Sequence, residues 1–273
     1  MEHLLRHALL TLLEASGRDL RDVMALFLDR PFRDQILTRI HDPLLLRFWT
    51  QEYRAMNYKT AADGVAPLGN KLGALLANPV VRVALCAPKT PLRLRRVMDE
   101  RQALVVNLCK GTLGADTANV LGGLLIASLV NAAFSRANSQ EADRTPFTLL
   151  VDEFHHFSTG VFVDALSECR KYGLGVVLAQ QHTAQTDPAV LAAIFGNVGS
   201  LIAFRVGALD APKIATQLQG TSPDQLILQP NHRALVQLMV QGEKTKPFTA
   251  FTLPPLSGGA GWGTRTPTRK LGQ

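Results

Sequence analysis

The sequence predicts a mixed α/β protein, with an all-helical subdomain followed by a mainly parallel sheet that helices cover on both faces. Residues 1–79 carry apolar residues at helical spacing and few runs typical of strands. Over residues 80–254, short apolar runs alternate with helical segments. This order favours a parallel sheet, because parallel strands need crossover connections. Pro, Gly, Thr and Arg dominate residues 255–273, which predicts a disordered tail.

Five helices are predicted in the subdomain. Leucines recur at helical spacing over residues 4–13, and Ser16 and Gly17 then interrupt the pattern. The other four helices are predicted over 20–27, from Pro31 onward, after a capping acid at Asp42 that precedes Pro43, and over 67–77.

The predicted strands of the sheet are short apolar runs bounded by turn residues. They lie at 80–86, 101–108, 148–151, 175–179, 200–204, 234–240 and 247–252. The helices between them are predicted at 117–137, 161–172, 189–195 and 210–219.

Two adjacent carboxylates, Asp152 and Glu153, end the strand at 148–151, within the segment TLLVDEFHHF. A buried strand delivers its last residues to the carboxyl edge of the sheet, where open α/β folds bind ligands. In nucleotide triphosphatases the first acid holds Mg²⁺, usually through water, and the second can polarise the attacking water. The segment therefore has the pattern of a Walker B motif. The alternative is a strand end whose acids meet solvent.

Polar residues also follow two later strands. Gln180 and Gln181 come after the strand at 175–179, and Arg205 comes after the strand at 200–204. A glutamine beside the acids can accept a hydrogen bond from water and donate one to phosphate. The pair is therefore a candidate sensor of the terminal phosphate.

The overall charge and the cysteines bound the class of protein. A formal charge of +7 and a pI near 9.6 are compatible with an anionic partner, but Arg265, Arg269 and Lys270 of the tail supply part of that charge. The three cysteines form no CxxC pair, which favours a reducing, intracellular compartment. The first 17 residues lack a secretory pattern, and the longest apolar stretch, 120–134, is shorter than the ~20 residues of a spanning helix. We expect a cytoplasmic protein without a membrane span.

The sequence resembles a known family, the ATPase domain of conjugative DNA pumps and type IV secretion coupling proteins (TraD/TraG-like, in the FtsK/HerA-type branch of P-loop motors). The resemblance is carried by TLLVDEFHHF (148–157), ALSECRKYGLGVVLAQQH (165–182) and IFGNVGSLIAFRVGALDA (194–211). Weaker support comes from VVNLCKGTLGADTANVLGGLL (105–125) and from APLGNKLG (66–73), which follows Phe48, Trp49, Glu52 and Tyr53. The resemblance implies a RecA-like core at 80–254 with a Walker B motif.

The resemblance also implies roles for individual residues. Asp152 matches the acid that holds Mg²⁺ through water, and Glu153 matches the acid that positions the attacking water. Gln181 matches the polar sensor, with Gln180 as the competing nucleotide-binding residue. Arg170 matches an arginine thought to reach the nucleotide of a neighbouring subunit, and the alternative for Arg170 is a solvated helix end.

Cofactor and partners are implied in the same way. The family binds Mg-ATP, forms rings (hexamers), moves DNA with little regard to sequence, and works with relaxosome and secretion-channel proteins at the inner face of the membrane.

The phosphate-binding loop GxxxxGK[ST] is missing from the sequence. Gly64 and Gly69 have the right separation, but Asn70 stands where the lysine belongs, and in the loop 110–116 the lysine precedes the glycines. The chain is therefore expected to be the carboxyl portion of a motor, unable to hydrolyse ATP appreciably alone and poorly soluble through an exposed sheet edge.

Two other classes of protein remain open. One is a non-catalytic interaction module that binds relaxosome or motor partners through its helical part. The other is a metal enzyme that uses Asp152, Glu153, His155, His156 and His182, although adjacent strand residues point to opposite faces.

Overall fold

A computed structural model describes residues 1–56, 58–86, 91–157 and 166–253. The chain divides into two compact units, Met1–Phe147 and a second unit that begins at Thr148. Both helices and strands are present, so the prediction of a mixed α/β protein is confirmed at that level. The predicted tail at 255–273 lies outside the described residues.

The described residues of the first unit form helices and helical turns joined by irregular segments, and its last residue, Phe147, begins the first strand. Its α-helices are Glu2–Glu14, Val23–Leu28, Arg30–Leu37, Pro43–Arg47, Tyr53–Ala55, Tyr58–Ala77, Pro79–Cys86, Leu94–Asp99, Lys110–Leu113 and Ala115–Phe134. Shorter 3-10 segments are Leu20–Asp22, Ser135–Asn138 and Glu141–Asp143, and Phe48–Glu52 is a π-helical turn.

An apolar core holds the first helices together. It is formed by buried residues between Leu4 and Leu68, and the fully buried Trp49 packs at its centre. The indole Nε1–H of Trp49 donates to Thr11 Oγ1 at 2.8 Å, so the polar atom of this ring is satisfied inside the core. As predicted, Asp42 caps the helix Pro43–Arg47, accepting from the Leu44 N–H at 2.8 Å.

Two strands predicted in the first unit are not present. Residues 80–86 belong to the helix Pro79–Cys86, because Asn78 Oδ1 accepts from the Val80 N–H at 2.9 Å and Pro79 occupies the first turn. Residues 102–109 form no regular element, and 86% of Val105 is exposed. Without a hydrogen-bonded neighbour, the β propensity of this run is not sufficient to make a strand.

The helix Ala115–Phe134 corresponds to the predicted helix at 117–137. With the turn that follows, it is the one described helix (Ala115–Asn138) whose length and composition would let it cross a membrane. Its buried residues recur every three or four positions, along one face: Ala118, Gly122, Ile126, Leu129, Val130 and Ala133.

The described residues of the second unit form two small sheets and a hairpin. The strands β1 (Phe147–Val151) and β2 (Leu174–Leu178) form a two-stranded parallel sheet. A three-stranded antiparallel sheet has the order β3-β4-β7, with β3 Leu201–Ala203, β4 Arg233–Gln237 and β7 Phe248–Phe251. The hairpin pairs β5 (Met239–Val240) with β6 (Glu243–Lys244).

Helices connect these strands. They are Pro188–Asn197, Ala211–Gln217 and Pro223–Ile227, with 3-10 turns at Phe154–His156, Cys169–Tyr172 and Thr183–Gln185. Of the predicted helix 161–172, only the final part is described, and residues 166–168 of it are helical.

The sheet topology differs from the prediction. One mainly parallel sheet was expected, whereas within the described residues the parallel pairing is limited to β1 and β2. In β3, Ile202 faces Val236 of β4 in an antiparallel register. The helices Ala211–Gln217 and Pro223–Ile227 pack beside this sheet and close its own apolar core around Leu218 and Leu226.

Candidate functional site

The ends of β1 and β2 bring the predicted site residues together. Beyond the last residue of β2, the Ala179 N–H donates to Val151 O at 2.9 Å, and the Phe154 N–H donates to Ala179 O at 3.1 Å. These two hydrogen bonds hold the backbone of Ala179 against the turn that carries the acids. Because the strands are parallel, both carboxyl ends lie at one edge of the sheet, with Asp152 and Glu153 on one strand and the glutamines on the other.

Glu153 adopts a left-handed backbone conformation. Its φ and ψ are 48° and 46°, a region that costs a residue with a side chain about 1–3 kcal/mol. Its N–H donates to Asp152 Oδ1 at 3.0 Å, which closes the turn locally. The turn ends the alternation of the strand, so the objection that adjacent strand residues point apart does not apply to Asp152 and Glu153.

The carboxylate of Glu153 is contacted at both oxygens. Gln181 donates from Nε2 to Oε1 at 2.5 Å. His155 Nδ1 lies 3.5 Å from Oε2, and the His155 side chain is only 8% exposed. The hydrogen bond from Gln181 restricts the direction of the carboxylate, and a restricted direction is what the positioning of a reactant requires.

The two glutamines have different contacts. Gln181 reaches across to Glu153, whereas Gln180 Oε1 accepts a hydrogen bond from Thr186 Oγ1 at 2.7 Å. Gln180 therefore helps to close its own loop, and Gln181 is the glutamine that lies at the acids. The sequence alone left both residues as candidates.

Asp152 fits the role of a ligand that acts through water. Its side chain is exposed, and Oδ1 already accepts the Glu153 N–H. A hard cation such as Mg²⁺ retains several of its waters and takes few protein carboxylates. A hydrated Mg²⁺ therefore suits Asp152.

Arg170 lies in the 3-10 turn Cys169–Tyr172, and its side chain is exposed. Within the described residues, no hydrogen bond or ion pair joins the Arg170 guanidinium to the acids or to the glutamines. The next residue, Lys171, donates to Glu168 Oε2 at 2.9 Å, and this hydrogen bond raises the pKa of the Lys171 ammonium.

Cys169, beside Arg170, is buried. Burial, and then the charge of Glu168, raise the pKa of its thiol to about 11. The thiol therefore stays protonated near neutral pH and is a poor nucleophile. Arg205 follows β3, which belongs to the antiparallel sheet and not to the parallel pair of β1 and β2 that carries the acids.

Three residues near the glutamines were not predicted as a group. Thr183 donates to Asp210 Oδ1 from its N–H at 3.2 Å and from its hydroxyl, and His182 Nδ1 lies 3.5 Å from Asp210 Oδ2. Asp210 is buried. Its position before Ala211 and Pro212 predicts a helix cap from the local sequence. The local sequence does not predict its contact with Thr183, which is 27 positions away.

The metal-enzyme hypothesis rested on a cluster of His and acidic residues. Across the described parts of the chain, no group of three or more His, Cys, Asp and Glu residues is arranged to hold a metal ion.

Comparison of the sequence with protein-family models and with curated proteins finds no match. The assignment of function therefore depends on the residues at the ends of β1 and β2.

Proposed function

We propose that this chain provides the water-activating part of the ATPase site of a DNA-translocating motor of conjugation or type IV secretion, within a RecA-like core. The observation that carries the proposal is the contact of 2.5 Å between Gln181 Nε2 and Glu153 Oε1 at the ends of two parallel strands. An acid and an amide in contact at this edge can together hold one water molecule, with the acid accepting a proton and the amide donating to phosphate.

Each residue has a distinct task in this proposal. Asp152 holds a hydrated Mg²⁺, which supplies neutralisation of phosphate charge when it is bound. Glu153 orients the attacking water, and Gln181 fixes the direction of the Glu153 carboxylate. The left-handed backbone at Glu153 gives that carboxylate its starting direction before any ligand arrives.

Arg170 has a role that suits its exposure. An exposed cation at the end of a turn can approach the nucleotide of a neighbouring copy in a ring. Arginines that act in this way change the rate of hydrolysis by about 10³–10⁵. The phosphates of ATP need a loop of backbone N–H groups and a lysine, and no segment of this sequence has that pattern. We propose that other residues supply it and that the chain alone hydrolyses ATP negligibly.

The test is a titration of the purified chain with Mg-ATP, followed by calorimetry and by amide NMR. We expect a dissociation constant in the millimolar range or weaker, because the sequence has no phosphate-binding loop. The amide signal changes should be confined to residues 152–153 and 180–181. Asp152→Ala should abolish these changes. Asp224→Ala removes an exposed carboxylate of the same unit and should leave them intact.

Two outcomes contradict the proposal. Signal changes that Asp152→Ala leaves unaltered would show that the acids are not the magnesium site. Steady ATP hydrolysis by the isolated chain, abolished by Glu153→Gln, would show that a loop of this sequence, most simply residues 110–116, binds the phosphates after all.

A further inference from the structure

We propose that Asp210 is a positioning residue for Gln181: it anchors the loop that carries Gln181 and so sets the contact between Gln181 and Glu153. The relevance of this inference to catalysis rests on the proposed function, whereas the contacts of Asp210 with the loop do not depend on it. It adds a residue far along the chain to the site at the ends of β1 and β2.

Asp210 does not cap the helix that follows it. It occupies the residue before the helix Ala211–Gln217, where an aspartate usually accepts a hydrogen bond from the first turn of its own helix. Its side chain makes no such cap bond. Pro212 in that first turn has no N–H, so one of the donors that a cap would serve is absent.

The Asp210 carboxylate instead contacts Thr183 and His182 in the loop that carries Gln181. Oδ1 accepts from both the backbone N–H and the hydroxyl of Thr183, and Oδ2 lies 3.5 Å from His182 Nδ1. The Asp210 side chain is 6% exposed and Thr183 is 4% exposed. A buried carboxylate is costly unless several donors surround it, and hydrogen bonds to a charged acceptor are about twice as strong as neutral ones.

Two sets of contacts restrain the loop that carries Gln181. Residues 180–186 are closed from within by the bond between Thr186 Oγ1 and Gln180 Oε1 at 2.7 Å. Asp210 adds an anchor from outside, at Thr183. Gln181 lies between these two fixed points and is itself exposed, so no packing of its own holds it in place. The backbone of the loop therefore sets the position from which the Gln181 side chain reaches Glu153.

It follows that Thr183 and Asp210 act on the site through Gln181, although neither contacts Glu153 in the described structure. Asp210, in the segment after β3, contacts Thr183, and Thr183 belongs to the loop whose Gln181 contacts Glu153. Any change that moves the start of the helix Ala211–Gln217 would pull on the loop of Gln181.

The experiment follows the side-chain NH₂ signals of Gln181 in the full chain by NMR, without nucleotide. Gln181→Asn assigns these signals, and Glu153→Ala defines their positions when the carboxylate partner is lost. Thr183→Val removes the hydroxyl donor at nearly constant volume, and Asp210→Asn removes the charge. In both variants we expect the Gln181 signals to shift at least half of the way to their Glu153→Ala positions.

Two variants serve as controls. Thr183→Ser restores a hydroxyl and should return the signals to their original positions. Thr252→Val removes a hydroxyl that donates to His232 O at 3.2 Å beside the antiparallel sheet, and it should leave the Gln181 signals in place. A merely structural role for Thr183 would lower the midpoint of thermal unfolding without this selective shift and rescue.

The inference is overturned if Gln181 keeps its signals in folded Thr183→Val and Asp210→Asn proteins. Thr183→Val retains the backbone N–H bond to Asp210, so it provides the readout should Asp210→Asn not fold. Because no nucleotide is present, failure of Mg-ATP binding at Asp152 would contradict the proposed function and leave this anchoring result unaffected.

Discussion

Glu153 shows how a single residue combines strain with a candidate role. Its left-handed backbone is unfavourable for a residue with a Cβ, and the hydrogen bond of its N–H to Asp152 and the contact of its carboxylate with Gln181 maintain it. The sequence placed both acids at a strand end, and it did so correctly. It could not indicate the left-handed turn, because one of the two contacts that maintain it comes from Gln181, which lies 28 residues later in the chain.

A prediction follows from this backbone. Glu153→Gly should give a more stable protein than Glu153→Ala, by about 1 kcal/mol, because glycine adopts a positive φ without the steric cost that alanine meets. The free energy of unfolding, measured with urea, compares the two variants. Both lose the same side-chain contacts, so the difference reports the backbone alone.

The matched control uses the preceding residue. Asp152 has no positive φ, so Asp152→Gly should be the less stable member of its pair with Asp152→Ala. If alanine is better tolerated than glycine at residue 153 as well, the left-handed conformation is not present in solution.

At the scale of the elements, the helices of the first unit were the most predictable part. Asp42 and Pro43 mark a helix start through local hydrogen bonding and a fixed φ, and both signals act within one turn. Asn78 and Pro79 carry the same two signals. The strand prediction at 80–86 gave weight to β-branched residues over that cap and was wrong.

The packing of the helix Glu2–Glu14 against the segment around Trp49 leads to a second prediction. Thr11→Val removes the acceptor of the buried Trp49 indole N–H, and it should lower the free energy of unfolding by about 1–3 kcal/mol. Thr11 itself is fully buried, so water cannot replace the lost partner. Urea denaturation followed by tryptophan fluorescence measures the change.

Thr50→Val is the control for this substitution. The Thr50 hydroxyl donates to Leu46 O at 2.6 Å, but the residue is exposed, so its loss should change the free energy of unfolding by less than about 0.5 kcal/mol. Equal effects of the two substitutions would mean that the contact between Thr11 and Trp49 contributes nothing specific.

For the whole molecule, the individual strands were easier to predict than their pairing. The runs at 175–179 and 200–204 are both strands, yet β2 pairs with β1 in parallel and β3 pairs with β4 in the opposite sense. A run of three to five apolar residues has a high β propensity, but it gives little information about which strand it will pair with. Pairing is decided by contacts between residues distant in sequence, such as Ala203 and Leu235.

The charge of the whole chain supports a third prediction, on DNA. If the chain serves a DNA-translocating motor, it should bind duplexes of unrelated sequence with equal affinity. The logarithm of the binding constant should fall linearly with the logarithm of salt concentration, by about 0.9 for each phosphate contact. Fluorescence anisotropy at several salt concentrations measures both properties.

The tail cations provide the control for this measurement. Replacing Arg265, Arg269 and Lys270 with alanine together should reduce the salt slope without abolishing binding, because the formal charge of +7 is not theirs alone. Binding that depends on one DNA sequence, or that salt does not weaken, would contradict the expectation.

The distribution of the cores along the chain has a consequence for biosynthesis. The core of the first helices needs only residues from Leu4 to Leu72, so it can form before the residues that follow Leu72 have been synthesised. The antiparallel sheet is different, since β4 pairs with β7 and Arg233 lies opposite Phe251. That sheet cannot be completed until the ribosome has made β7, after the residues of the helical core are already available. The helical core can therefore form first. The edge of β4 that pairs with β7 stays unpaired, and accessible to chaperones, until β7 has been synthesised.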